Sequence, residues 1–461
     1  MAARAGSSKG SAGRREAPQH VRTRQLPLAA RQEKWFEKAA GLISEERLQQ
    51  LDLALTDIHS PTGEEREISE FIARYLDEAG FEAEYQPMTE DSGNAVAYLR
   101  GSGDGPSVML YAPVDTHIEA DPAFDVPWCG PELRADMVPE GQLRDGLVVG
   151  LGAANPKAMV TTLIEAARCV KESGAQLKGD IVLAFAGGGM PVSSALRDKR
   201  GLSDGVMHML NRGVTADFGL IMKPWNFVYY EEAGLCWFRV NVRGSMGYSG
   251  VPRGIPTFRS SIVPAATVIQ EIEAWLPEYT KKNASGQISP EGWIAAVHSG
   301  WPDRPAFPSA TTEILVDIRI TPRTPPSDVK AQFGDQMNRI CRKHPEIDLD
   351  WEMIASCPTG STDPDNWIIH SAQRGWERVE GKKHPKSPRH GGQTDGAAIR
   401  NYGIPMARLG WPWPYDGTPE ELADGLGGMG VTHIPDLVPC CKKLIYAIID
   451  TCGRSRKEVG L

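Results

Sequence analysis

The chain is short of the features that mark several large classes of protein. No apolar run approaches the roughly 18 residues that a membrane-spanning helix needs, and aromatic residues make up only 7% of the 461. Basic residues are outnumbered, 50 against 59 acidic, for a net charge of -9. A chain of this sign lacks the positive field on which binding to nucleic acid or an anionic membrane depends. The eight cysteines form no CxxC pair and follow no regular spacing, which fits neither a disulfide framework nor a zinc ribbon and points to idle thiols in a reducing, cytoplasmic setting. Residues 1–32 contain no apolar stretch before a small-residue cleavage site, so they read as a disordered basic lead-in rather than a secretion signal.

What is present is the pattern of a globular protein of two or three domains, with 41% hydrophobic and 24% charged residues. A helix opening near Ser60-Pro61-Thr62-Gly63 and closing at Gly80 is followed by an apolar run that ends at Ala112-Pro113-Val114-Asp115. Glycines 150 and 152, a helix over 157–172 and a strand over 180–185 continue a β/α alternation, which places chemistry at strand ends. Residues 237–242 and 313–320 alternate as antiparallel strands do, with a helix over 261–275 between them and a Pro/Gly-rich loop at 300–308. These features predict an α+β insert over 233–356, between α/β segments 33–232 and 357–461. The alternation resumes with a helix over 367–380, a strand over 405–409 and a last helix from Pro435 to about Cys452.

Seven segments, GLGAANPKAM (150–159), LKGDIVLAFAGGGMP (177–191), ADFGLIMKPW (216–225), FRVNVRGSMGYSGVPRG (238–254), ILVDIRITPR (314–323), GGQTDG (391–396) and GIP (403–405), stand in an order and spacing that resembles the di-zinc aminoacylase and carboxypeptidase family of metallopeptidases. That family includes acetylornithine deacetylase, succinyl-diaminopimelate desuccinylase and glutamate carboxypeptidase. The resemblance runs from about Leu42 to Thr451 and implies an α/β fold of two domains: a zinc-exopeptidase-like catalytic domain and an inserted α+β lid that usually mediates dimerisation.

The resemblance also implies two metal ions sharing a bridging carboxylate, each with a histidine and a further carboxylate, and a glutamate as general base. At those positions this sequence has Pro113 for the first histidine, Asn155 for the bridging aspartate, Gly189 and Met190 for the paired glutamates, Lys223 for a further carboxylate and Tyr248 for the histidine of the lid. Asp115 and His433 keep the family's residue types. His117, four residues past Pro113, would lie about 13 Å away on an extended chain and is no obvious substitute. Lys223 replaces an acid with a cation and is expected to pair with Asp115, in place of one ion. The resemblance further implies a cis peptide after position 155. Pro156 suits that bond and equally suits an ordinary trans proline at a helix start.

These departures imply a pseudoenzyme without the di-zinc cofactor: a ligand-binding or regulatory subunit for a small-molecule or peptide-like ligand. Arg253, Arg319, Asn155 and His433 are its candidate binding residues, and a homodimer or a heteromer with a paralogue would form through the lid. The alternative is a metal-independent hydrolase of amide bonds that uses Lys223, Tyr248 and Asp115.

Overall fold

Four apolar runs, Val108–Pro113, Ile181–Ala186, Phe218–Met222 and Met406–Leu409, are buried at every position, as strands of a parallel sheet covered on both faces must be. In the computed structural model, which describes residues 26–126, 128–194, 199–251, 259–412, 415, 417–422 and 429–461, they form most of a six-stranded sheet. Its order is Glu82–Pro87, Gly93–Leu99, Ile181–Ala186, Val108–Pro113, Phe218–Met222, Met406–Leu409. The first two strands run antiparallel to their neighbours and the remaining pairs are parallel.

Helices Ala158–Glu172, Trp367–Glu380 and Ile434–Cys452 pack together on one face, around Leu163, Trp367, Leu444 and Ile448. Short helices Asp204–Asn211 and Gly396–Asn401 cover the other face with Val206, Met209 and Ile399. Buried Asp450 fastens the long helices, accepting from Ser371 Oγ at 2.7 Å, Arg374 Nη2 at 2.5 Å and Arg454 Nη2 at 2.9 Å.

The insert forms its own four-stranded antiparallel sheet, in the order Gly292–Ser299, Thr311–Ile320, Gly234–Arg243, Asp348–Cys357. Strict alternation of burial along Thr311–Ile320 gives the sheet one apolar face. Helices Ile262–Asn283 and Pro326–Lys343 close that face, with Phe238 stacked on Phe333 at 4.1 Å between ring centroids. The fold is thus the expected α/β fold of two domains. The helix expected to end at Trp275 runs on to Asn283, through Pro277. Residues 26–32, expected within the disordered segment, are in place: Leu28 is buried, the Pro27 carbonyl accepts from Arg454 Nη2 at 2.8 Å and a helix begins at Ala30. Residues 1–25 lie outside the described residues.

Among the described residues no helix is long and apolar enough to cross a membrane. All eight cysteines are free thiols, and six of them are buried.

Candidate functional site

Parallel strands deliver their carboxyl ends to one edge of the sheet, and four loops meet there. Pro113 closes the first strand, and Val114 N donates to Ala186 O at 3.0 Å, so Asp115 lies beside the loop 187–190. The Asp115 carboxylate is fully buried, and both of its oxygens are engaged. Oδ1 accepts from Gly189 N at 2.8 Å, and Oδ2 from Met190 N at 2.9 Å and Thr62 Oγ1 at 2.8 Å.

The same loop is held by two side chains that the sequence reading did not single out for this task. Glu65, buried, accepts from Gly63 N at 2.7 Å, Gly188 N at 2.9 Å and Ser92 Oγ. Asn94 accepts from Gly187 N at 3.1 Å and donates to Gly205 O at 3.1 Å. Loop 187–190 therefore gives four successive main-chain N–H groups to Asn94, Glu65 and Asp115. Burial pushes the Glu65 carboxyl well above its ordinary value, and the nearby Asp115 charge pushes the same way.

Gly189 is pressed on three sides. A Cβ built there would lie 2.5 Å from Asp395 Oδ2, 2.5 Å from Pro113 Cβ and 3.2 Å from Asp115 Oδ1. Asp395, at the start of helix Gly396–Asn401, is buried and accepts from Tyr111 Oη at 2.6 Å. Burial raises its carboxyl to about 6 in spite of the Tyr111 hydrogen bond and the Lys223 charge.

Lys223 follows the strand Phe218–Met222. Its ammonium does not reach Asp115. It donates instead to Asn155 Oδ1 at 3.4 Å, and burial lowers its pKa against the attraction of Asp395. Asn155 precedes a cis bond to Pro156 and points its Nδ2 at Met429 Sδ, 2.9 Å away. Asn155 N and Ala154 N both approach Met429 O, at 3.2 and 2.9 Å. Four residues past Met429, His433 closes a short strand paired with Leu147–Val149. Its imidazole lies 3.1 Å from Asp436 Oδ2 and stacks on Tyr415 at 3.9 Å.

Pro113, Asp115, Gly189, Met190, Lys223, Asn155 and His433 thus share the sheet edge and the loops beside it, and the other sequence candidates have different surroundings. Tyr248 lies in the insert, 53% exposed, with its ring 5.7 Å from Phe307. Arg319 is engaged by Asp317 at 2.8 Å, and His117 faces Trp128 edge-on at 6.4 Å. Arg253 lies outside the described residues. Among the described residues, no three His, Cys, Asp or Glu side chains gather closely enough to hold a metal ion.

Residues 135–421 match the model of peptidase family M20/M25/M40. Over 448 residues the chain is 23% identical to the N-formyl-4-amino-5-aminomethyl-2-methylpyrimidine deformylase of Bacillus subtilis (strain 168), covering 90% of this chain and 96% of that protein. Human carnosine dipeptidase 1 has a similar fold, with a TM-score of 0.68 at 15% identity over 93% of this chain and all of that one. So has the dipeptidase Dug1p of Saccharomyces cerevisiae, with a TM-score of 0.68 at 14% identity over 92% of this chain and 99% of that one.

Two outcomes follow from the packing. Gly189→Ala should lower stability by about 1–3 kcal/mol in denaturant unfolding, because its methyl group displaces Asp395 or Pro113; wild-type stability would mean that this gap is open. Asp395 has a folded-state pKa near 6, above the ordinary 3.8, so its contribution to stability is full below about pH 4 and is lost as pH rises through 6. Asp395→Asn should therefore gain on the wild type by about 2–3 kcal/mol between pH 4 and 6.5. A difference that stays flat with pH would contradict the raised value.

Proposed function

The chain belongs to peptidase family M20/M25/M40, and from that premise we propose that it is a member without di-metal hydrolysis, serving as a ligand-binding or regulatory subunit. The observation that carries this reading is the donor set at the sheet edge. A di-zinc centre needs anionic and imidazole donors around each ion, and the residues there do not fit it. Pro113 offers no side-chain donor, Asn155 a neutral amide and Lys223 a cation. The Asp115 oxygens are taken by main-chain N–H groups, and Gly189 has no room for a side chain. His433 is the one imidazole at a family position, and no hydrolytic step is assigned to it.

The same geometry favours a small-molecule or peptide-like ligand, since Asn155, Lys223, Met429 and His433 are partly exposed at the edge of this otherwise buried cluster. A second reading, metal-independent cleavage of an amide bond, is favoured by one observation: burial shifts Lys223 toward its neutral amine, which can act as base or nucleophile. Tyr248, packed on Phe307, and Asp115, with both oxygens occupied, do not support the roles that this chemistry would give them.

The edge strand Gly292–Ser299 suits subunit association through the insert. Among the described residues it pairs on one side only, with Thr311–Ile320, and it exposes Trp293 and Val297.

Turnover decides between the readings. Purified protein supplied with zinc or manganese is expected to leave dipeptides, N-formyl amines and N-acyl amino acids intact. Chelator-sensitive turnover would end the proposal, and metal-free turnover lost in Lys223→Ala would establish the second reading. For association, light scattering should give a dimer that Trp293→Asp converts to monomer; a monomeric wild type, or a dimer indifferent to the change, would exclude this edge.

A further inference from the structure

The ligand-binding reading leaves open what chemistry the site selects, and Lys223 supplies an answer that rests on that reading. An ammonium carries three N–H donors. Among the described residues, Lys223 uses one of them, in the 3.4 Å bond to Asn155 Oδ1, and no carboxylate oxygen lies within ion-pair distance of it. A partly enclosed ammonium with unused donors is costly unless something supplies acceptors.

Its neighbour is in a similar state. Among the described residues, Asn155 Nδ2 faces only the thioether of Met429, a weak acceptor. The amide orientation fits this arrangement, because exchanging O and N would aim an N–H at the ammonium. Charges of both signs surround the pair, and three carboxylates, Asp395, Glu232 and Asp115, attract Lys223. Arg408 and Arg400 flank Glu232 at 3.2 and 3.5 Å, and these two cations hold the Glu232 carboxyl below its ordinary range although burial alone would raise it. Arg408 and Lys223 repel one another, whereas burial pushes Asp395 and Asp115 toward their neutral forms. Arg319, one of the candidate binding residues of the sequence, is already held by Asp317.

We infer that Lys223 Nζ and Asn155 Nδ2 together form the seat of an oxyanion, the carboxylate of a small acid or peptide terminus or an inorganic phosphate, in the space that paired metal ions occupy elsewhere in the family. The ligand's charge, rather than an amide carbonyl, is what this pair recognises. Nothing covalent is required: the anion exchanges water for two N–H donors and a fixed positive charge.

Calorimetric titration of the full chain with N-acetylglycine, with its uncharged amide N-acetylglycinamide and with inorganic phosphate tests this. The wild type should bind at least one of the two anions, and the uncharged amide about tenfold or more weakly than N-acetylglycine if the carboxylate is the source. Preference for phosphate over N-acetylglycine would identify the other source. Lys223→Met should weaken anion binding by about tenfold or more with its thermal unfolding midpoint retained, and Lys223→Arg should keep it. Asn155→Asp, which sets a like charge beside the seat, should also weaken it. No anion binding to the wild type, or equal binding to the wild type, Lys223→Met and Asn155→Asp, overturns the inference. Metal content and turnover of the same samples separate this failure from that of the broader reading: inert, metal-free protein with Lys223-independent binding loses only the oxyanion seat.

Discussion

The capture of the Asp115 carboxylate by the backbone of the next loop is the contact on which the rest of the sheet edge depends. A buried carboxylate must be matched by a positive charge or by several hydrogen-bond donors. Here the match comes from Gly189 N, Met190 N and Thr62 Oγ1. Because two of those donors are main-chain groups of loop 187–190, the loop is drawn tight against the strand ends, and Gly189 comes to rest on Pro113 and Asp395. Glu65 and Asn94 repeat the device one and two residues earlier. The proposal that no metal pair is held here is the electrostatic counterpart of that packing, since acids that already have hydrogen-bond partners do not need dications between them.

The lysine extends the argument to binding. On the proposed reading, a cation placed where the family resemblance puts an acid would turn the site from metal ions toward anions. Its hydrogen-bond partner among the described residues is the Asn155 amide, not an acid, and the proposed seat would select ligands by sign. The Arg400–Glu232–Arg408 group shows the contrasting case, in which buried charges of both signs lie within ion-pair distance of one another.

Much of this was legible in the residues. Continuous apolar runs read as buried parallel strands, two-residue alternation marked the inserted sheet, and the segments flanking Asp115, Asn155, Lys223 and His433 marked the candidate site. The choice of partners was not legible. Charge matching along the sequence paired Lys223 with Asp115, but charge inventory alone does not say which side chains meet, and the loop N–H groups reach Asp115 first. Tyr111 and Asp395 are 284 positions apart and touch only because neighbouring strands and a short helix converge. Glu65 stands in a segment that reads as a helix opening, and its acidic side chain suits a helix N-terminus. Its second task, holding Gly188 from 123 positions away, has no local signature.

The most direct test of the central claim is anomalous diffraction at the zinc edge from crystals of the full chain soaked in zinc. The account predicts no anomalous peak among Pro113, Asp115, Asn155, Gly189, Lys223 and His433, with loop 187–190 still bonded to Asp115. Two well-occupied peaks between Asn155 and His433, with Asp115 turned toward them, would contradict it.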